Sequence, residues 1–306
     1  MSSVKDLIAK NQKGGRHKLE KAVPVGLFLA AIISVLTTVG IVGTLIYETV
    51  LFFSEISFRE FFFSTELQPL NRSNPQFSIL PLLSATILSS LIAMLVAIPV
   101  GLTTAIFLSE YASEKVRRTL KPMVEVLAGI PTIVYGFFAF TFVTPFLREI
   151  FPILERTNIL SPGIVMGIMI IPMVASLSED AMTSVPNAMR EGALAMGATK
   201  LEVTFRVVIP AAISGIIASF VLGISRAIGE TMIVTIASGS NKNLTWDVTQ
   251  SMQTMTAYIV EVTSGDAGAG TTIYYSLYAV AFTLFVFTLA MNMLARYITK
   301  RYREVY

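Results

Sequence analysis

The chain has no cysteine among its 306 residues. Disulfides, thiolate metal sites and a cysteine nucleophile are therefore excluded. Histidine occurs once, as His17 in a charged N-terminal stretch, so neither a histidine metal cluster nor a Ser/His/Asp triad can be assembled. Charge is scarce: 14% of residues are Asp, Glu, Lys or Arg, against about 25% in a typical soluble domain. The phosphate-cradling pattern G-x-x-x-x-G-K followed by Ser or Thr is missing. Gly197-Ala198-Thr199-Lys200 lacks the preceding glycine and the spacing. With no Gly-rich dinucleotide motif either, no reaction is expected on this chain itself, and it reads as a non-enzyme.

What is abundant is apolar. Hydrophobic residues make up 54% of the chain and mean hydropathy is +0.69. Six segments read as membrane spans: 24–53, 80–108, 123–146, 160–178, 211–237 and 274–296. A hydrocarbon core of about 30 Å needs roughly 20 apolar residues of helix. Backbone amides find no water there, so each span should be helical. Pro99, Pro131 and Pro172 fall inside spans and are expected to kink them, the freed carbonyls being satisfied by neighbours. The expectation is an all-α polytopic membrane protein with six transmembrane helices. A tail at 1–22 precedes a membrane domain at 23–298, and a second tail follows at 299–306.

Lys and Arg orient this bundle. The two tails and the loops 109–122 and 179–210 hold 17 of them; the intervening loops hold 5. Positive charge favours the cytoplasmic side. Both termini and the loop 184–210 should therefore be cytoplasmic, and the loop 238–273 external. Residues 52–63, dense in phenylalanine, read as an aromatic interfacial collar, and 248–262 as a short amphipathic helix. Glu125 is expected either to be solvated or paired with Lys121, or to take a gating role, and Glu179 and Asp180 to sit at the cytoplasmic interface.

Two regions stand apart from generic membrane helix. In the loop 184–210, Pro186 opens a run of helix formers that Gly197 closes, as a C′ glycine would. A second short helix should run from about Thr199 to Pro210. The result is a helix–turn–helix at the membrane surface whose small side chains let another protein approach closely. In the fifth span, Gly215, Ser219, Gly223 and Ala227 form an i, i+4 row of small residues, the mark of a close helix–helix face. Arg226 and Glu230 fall in the same sector, at ~20° and ~60° from Gly215. A mid-membrane Arg costs about 2.5–3.5 kcal/mol on the insertion scale, so it should face protein or water. Two roles stay open at this point: an internal Arg226–Glu230 ion pair, or an anion site that uses the guanidinium fork.

The spacing Glu191-Gly192-Ala193, three residues, Gly197, nine residues, Val207, one residue, Ile209-Pro210 resembles the EAA loop of ABC importer permeases. Gly192 stands where the family has its second alanine, and Val207 and Ile209 where it has Ile and Leu. The run from Gly223 to Met232, with Arg226-Ala227, Gly229-Glu230-Thr231-Met232, is similar to the R-A-x-G-E-T-M signature of phosphate-specific ABC permeases. So is Glu125 to Gly136, EVLAGIPTIVYG, and the continuation after Met232 is closer to the PstC-type subunit than to its PstA-type partner. The resemblance covers about 79–298. It implies the type I ABC importer permease fold, and assigns ATPase coupling to Glu191, Ala193, Gly197 and Pro210. It places Arg226, Glu230 and Thr231 on the substrate pathway. The hydroxyls of Thr132, Tyr135 and Thr86 are further lining candidates, although helix-facing hydroxyls more often bond a neighbouring backbone.

The same resemblance implies partners: a related permease in a pseudo-twofold heterodimer, two ATPase subunits that carry ATP and Mg, and a periplasmic or extracellular phosphate-binding protein. No cofactor is expected on this chain and no nucleic acid is a partner. Inorganic phosphate would be the cargo, and the cytoplasmic (inner) membrane of a bacterium the location. An Arg suits every tetrahedral oxyanion, so a sulfate or molybdate permease is the nearest alternative. An ion-coupled secondary carrier with Glu230 as proton site is a more distant one.

Overall fold

The computed structural model describes residues 16–71, 74–265 and 267–301. Most of the expected N-terminal tail, with Lys5, Lys10 and Lys13, and the last residues of the C-terminal tail, with Arg303, lie outside the described residues. Six helical stretches are long and apolar enough to cross a membrane: Ala22–Glu55, Leu80–Tyr111, Thr132–Ile150, Leu160–Thr183, Lys200–Ile228 and Thr272–Lys300. Among the described residues the only sheet-like pairings are isolated bridges, Glu66 with Asn243 and Gln68 with Gln76.

The fourth span is the centre of the bundle. Val165, Met166, Met169, Ile170 and Val174 are buried against Ala93 and Ala97 of the second span and Tyr135 and Ala139 of the third. Glycine allows this approach. A Cβ at Gly167 would stand 2.7 Å from the Ala93 carbonyl oxygen and 2.6 Å from the Val96 Cβ. A Cβ at Gly215 would stand 2.4 Å from that of Ala181, so the small-residue row of the fifth span does face the fourth. Ser178 and Ser219 share a 2.8 Å hydrogen bond inside this seam. The first span packs against the sixth, and residues 22–41 are exposed throughout.

Two expected spans are divided. The segment 123–146 is not one helix. A surface helix, Glu114–Ala128, ends at Gly129, and a new helix starts at Thr132 with Pro131 as its cap. Proline lacks the amide and disfavours helical geometry at Ile130, so here it separates two helices instead of kinking one. Pro99 and Pro172 do lie within continuous helices. The fifth span differs from 211–237 at both ends. It runs from Lys200 to Ile228 and stops at Gly229, and a separate short helix, Met232–Ala237, follows. Thr199 and Glu202 form a capping box at its start. No separate second loop helix exists, because a π-turn at Thr204–Val208 carries the chain into the membrane helix just before Pro210. Another π-turn, Ala139–Val143, precedes Pro145. A wide turn absorbs the hydrogen bond that a proline cannot donate.

The phenylalanine-rich segment is partly core. Phe52, Phe61 and Phe77 are fully buried and meet edge to face. Phe58 and Phe63 of the short helix Phe58–Phe63 remain exposed. The helix expected at 248–262 lies at Met255–Ser264. Its Tyr258 is buried and bonded to Ser276 of the sixth span, and burial pushes the phenol up to about 12.

Candidate functional site

Both signature motifs build helix breaks. EVLAGIPTIVYG spans the interruption at 129–131, and RAIGETM spans the one at 229–231. The two meet, since a Cβ at Gly136 would stand 3.1 Å from the Met232 carbonyl oxygen. Tyr135 fastens the first break by donating to the Leu127 carbonyl at 2.7 Å. Irregular backbone at membrane depth is tolerated where it is buried in protein or lines water.

Arg226 lies in the last turn of the fifth-span helix and is exposed in the single chain. Among the described residues it has no ion pair. Gly229 beside it is exposed as well. Glu230 is turned away and only 8% exposed. Its Oε1 accepts the amides of Met232 and Ile233 at 3.2 and 3.4 Å, and its carbonyl accepts the Thr256 hydroxyl at 2.7 Å. The carboxylate thus caps the helix Met232–Ala237. The shared sector expected for the pair does not form, for two reasons. The helix ends before Glu230. An i, i+4 row also winds by about 40° per step, so the buried face has turned away from Arg226 by its level. Thr231 and Thr132 are half-buried. Thr86 is buried, donating to the Leu82 carbonyl and accepting the Met255 amide at 3.0 Å, so it ties the loop helix to the second span and does not line an opening.

The coupling candidates lie at the opposite end of the fifth span. The helix Asn187–Ala195 starts after Pro186 and ends at Met196, with Gly197 at φ +90°. L-residues are disfavoured at that φ, so glycine supplies the turn. Glu191, Gly197 and Pro210 are exposed and Ala193 is half-buried. Open space surrounds Gly192 and Gly197.

Two charged clusters that sequence reasoning did not assemble hold this end together. Glu179, near the end of the fourth span, is fully buried within the protein. It pairs with Arg117 and, at 2.7 Å, with Lys121 of the surface helix. Lys121 also reaches Asp180 at 2.9 Å, so its partners are these acids and not Glu125. Burial pushes the Lys121 ammonium down, but its hydrogen bonds to Asp180 and Glu179 and their charges more than offset this and raise it. Arg190 of the loop helix pairs with Glu110 at the end of the second span at 3.0 Å. The only sequence signal for these pairs is the position of each carboxylate at the end of an apolar run, opposite basic loops.

A family model described as the binding-protein-dependent transport system inner membrane component matches residues 97–304. The probable ABC transporter permease protein YqgH of Bacillus subtilis is 32% identical over 242 residues, 79% of this chain and 78% of that protein. The phosphate transport system permease protein PstC of Xylella fastidiosa is 34% identical over 256 residues, 77% of each chain. In fold, the chain is similar to a bacterial alginate ABC transporter solved with an alginate-bound periplasmic protein. The TM-score is 0.66 at 17% identity, covering 95% of this chain and 98% of that one. The inward-facing MetNI methionine ABC transporter aligns with a TM-score of 0.55 at 17% identity, over 74% and 94%.

Proposed function

The chain belongs to the family of binding-protein-dependent transport system inner membrane components, with the type I ABC importer permease fold, and from that premise we propose that it is the PstC-type permease subunit of an ATP-driven phosphate importer. Relatives that carry the phosphate transport name are 31–34% identical over about three quarters of the chain. It would form half of a translocation pathway with a related permease. Two ATPase subunits would bind ATP and Mg at the cytoplasmic face, and a soluble phosphate-binding protein would dock outside. The membrane would be the bacterial inner membrane, with both termini cytoplasmic.

The observation that carries the anion reading is Arg226: a guanidinium in a membrane span, exposed in the isolated chain, next to irregular backbone. Lipid is a costly neighbour for it, which leaves the partner permease or a water-filled pathway. A fixed fork of donors suits the oxygens of phosphate. Closure of the ATPases would press on the helix Asn187–Ala195, open the bundle to the binding protein, and expose Arg226 to the released ion. Arg226 should hold the ion only weakly, because it must leave again. Glu230 acts in this reading by shaping the break, not by touching the ion.

The test is radiolabelled phosphate uptake into proteoliposomes that hold the complete complex and its binding protein. Uptake should require internal ATP and resist excess sulfate or molybdate. Competition by either oxyanion would overturn the phosphate assignment, and uptake on a proton gradient without ATP would overturn the ATP-driven one.

A further inference from the structure

The helix Asn187–Ala195 has no fully buried residue, yet one side chain fixes it to the bundle. The Arg190 guanidinium spends every nitrogen at once. Nη2 donates to the Met182 carbonyl at 2.7 Å and to Glu110 Oε1 at 3.0 Å. Nη1 donates to the Val185 carbonyl at 2.5 Å and to Asn187 Oδ1 at 3.3 Å. Nε faces Glu110 Oε2 at 3.4 Å. Met182 and Val185 close the fourth span, and Glu110 lies in the π-turn that closes the second. The Arg190 and Glu110 side chains are 17% and 6% exposed, so the pair is largely shielded from water. Orphan carbonyls at a helix C-terminus favour a cation, and a bidentate carboxylate fixes its orientation.

The same helix also packs against the start of the fifth span, where Met189 and Ala193 join the cluster of Val203 and Val208, and the chain between them turns at Gly197, φ +90°. Beyond it, Lys200 lies over the half-exposed Tyr111 ring at 5.0 Å, a contact of modest strength. A displacement of the loop helix therefore reaches the second and fourth spans rigidly, and those two are locked together at Gly167 and Gly163. The fifth span, with Arg226 at its far end, meets the loop helix through the packing of Met189 and Ala193.

We propose that Arg190 is a positioning residue for transport: it clamps the loop helix to the ends of the second and fourth spans so that the three move as one body when an ATPase presses on the helix. This rests on the reading of Asn187–Ala195 as the ATPase contact. Lysine cannot replace the clamp, because a single ammonium cannot reach two carbonyls and both oxygens of Glu110 in the same geometry.

The test uses the complete transporter in proteoliposomes and reads phosphate moved per ATP hydrolysed. Arg190→Ala should keep the ATPases bound and hydrolysing while this ratio falls about tenfold, the scale of one lost charge-assisted hydrogen bond. Arg190→Lys should recover only part of it. Glu110→Gln, which leaves both carbonyl bonds, should give a smaller loss and decides the matter if Arg190→Ala does not assemble. Because the chain has no cysteine, nitroxides can also be placed on Phe107→Cys and Ala195→Cys alone. Their separation should be the same without nucleotide and with trapped ATP, and should become nucleotide-dependent in Arg190→Ala. An unchanged ratio in Arg190→Ala, or a loss explained wholly by released ATPase, overturns the clamp. A complex of the unsubstituted chain that moves no phosphate would count against the transport reading instead, and the label separation is independent of the cargo.

Discussion

Arg226 and Glu230 are four residues apart and take opposite roles. Arg226 is exposed and unpaired within the described chain, so Arg226→Ala should leave the melting temperature and complex assembly unchanged while abolishing uptake. Loss of assembly in that variant would mean that the guanidinium serves the subunit interface. Glu230→Gln keeps an acceptor for the Met232 and Ile233 amides and should retain uptake, whereas Glu230→Ala removes a cap and should destabilise by about 1 kcal/mol. Glu179 shows the same logic in the core. Its two cations are partly exposed and can rehydrate, but the carboxylate is fully buried. The double change Arg117→Ala/Lys121→Ala strands it, which costs about 3–5 kcal/mol. Glu179→Gln should cost less, and thermal unfolding in detergent orders the two. The raised Lys121 group stays charged below its ordinary 10.5, so this contribution is complete at neutral pH and is lost as pH rises through the raised value. The sequence marked Arg226 through the cost of placing it in a membrane. It could not mark the Glu179 and Arg190 ion pairs, because the oppositely charged partners lie 58 or more positions away and only the fold brings them together.

At the scale of elements, apolar length located all six spans, since lipid demands the same thing of each. It failed at the breaks near Pro131 and Gly229, where hydropathy runs on unbroken while the backbone changes direction. The cues there are local: a proline, a glycine, and a Glu whose side chain returns to the next amides. Thr199 to Glu202 is likewise a legible capping box that marks the true start of the fifth span. Gly192 and Gly167 test what glycine does in two settings. Gly192 sits mid-helix in open space where the family has alanine, so Gly192→Ala should stabilise the loop helix by about 0.5–1 kcal/mol and preserve uptake. Gly167→Ala places a Cβ against the Ala93 carbonyl oxygen and should force the second and fourth spans apart, lowering the melting temperature by several degrees, on the order of a 1–3 kcal/mol overpacking cost. Equal stability of the two variants would show that this seam is looser than the distances imply.

For the whole molecule, orientation follows from charge and can be read independently of transport. The clamp, the surface helix and the loop helix all crowd onto one side of the bundle, which is also the side that holds most of the Lys and Arg. In the proposed importer that is the side an ATPase would have to reach, because ATP is cytoplasmic. Single cysteines in this cysteine-free chain separate the two faces. Met196→Cys is at an 89% exposed site beside the coupling turn, and Trp246→Cys at a 62% exposed site in the long loop between the fifth and sixth spans. A membrane-impermeant maleimide should label position 246 in intact cells. It should label position 196 only in inverted vesicles, and there only after the ATPase subunits have been stripped away. Labelling of position 196 from outside would invert the bundle and remove the basis for ATPase contact at this helix. Labelling that ignores the ATPases would keep the orientation and move the docking surface elsewhere on the same face.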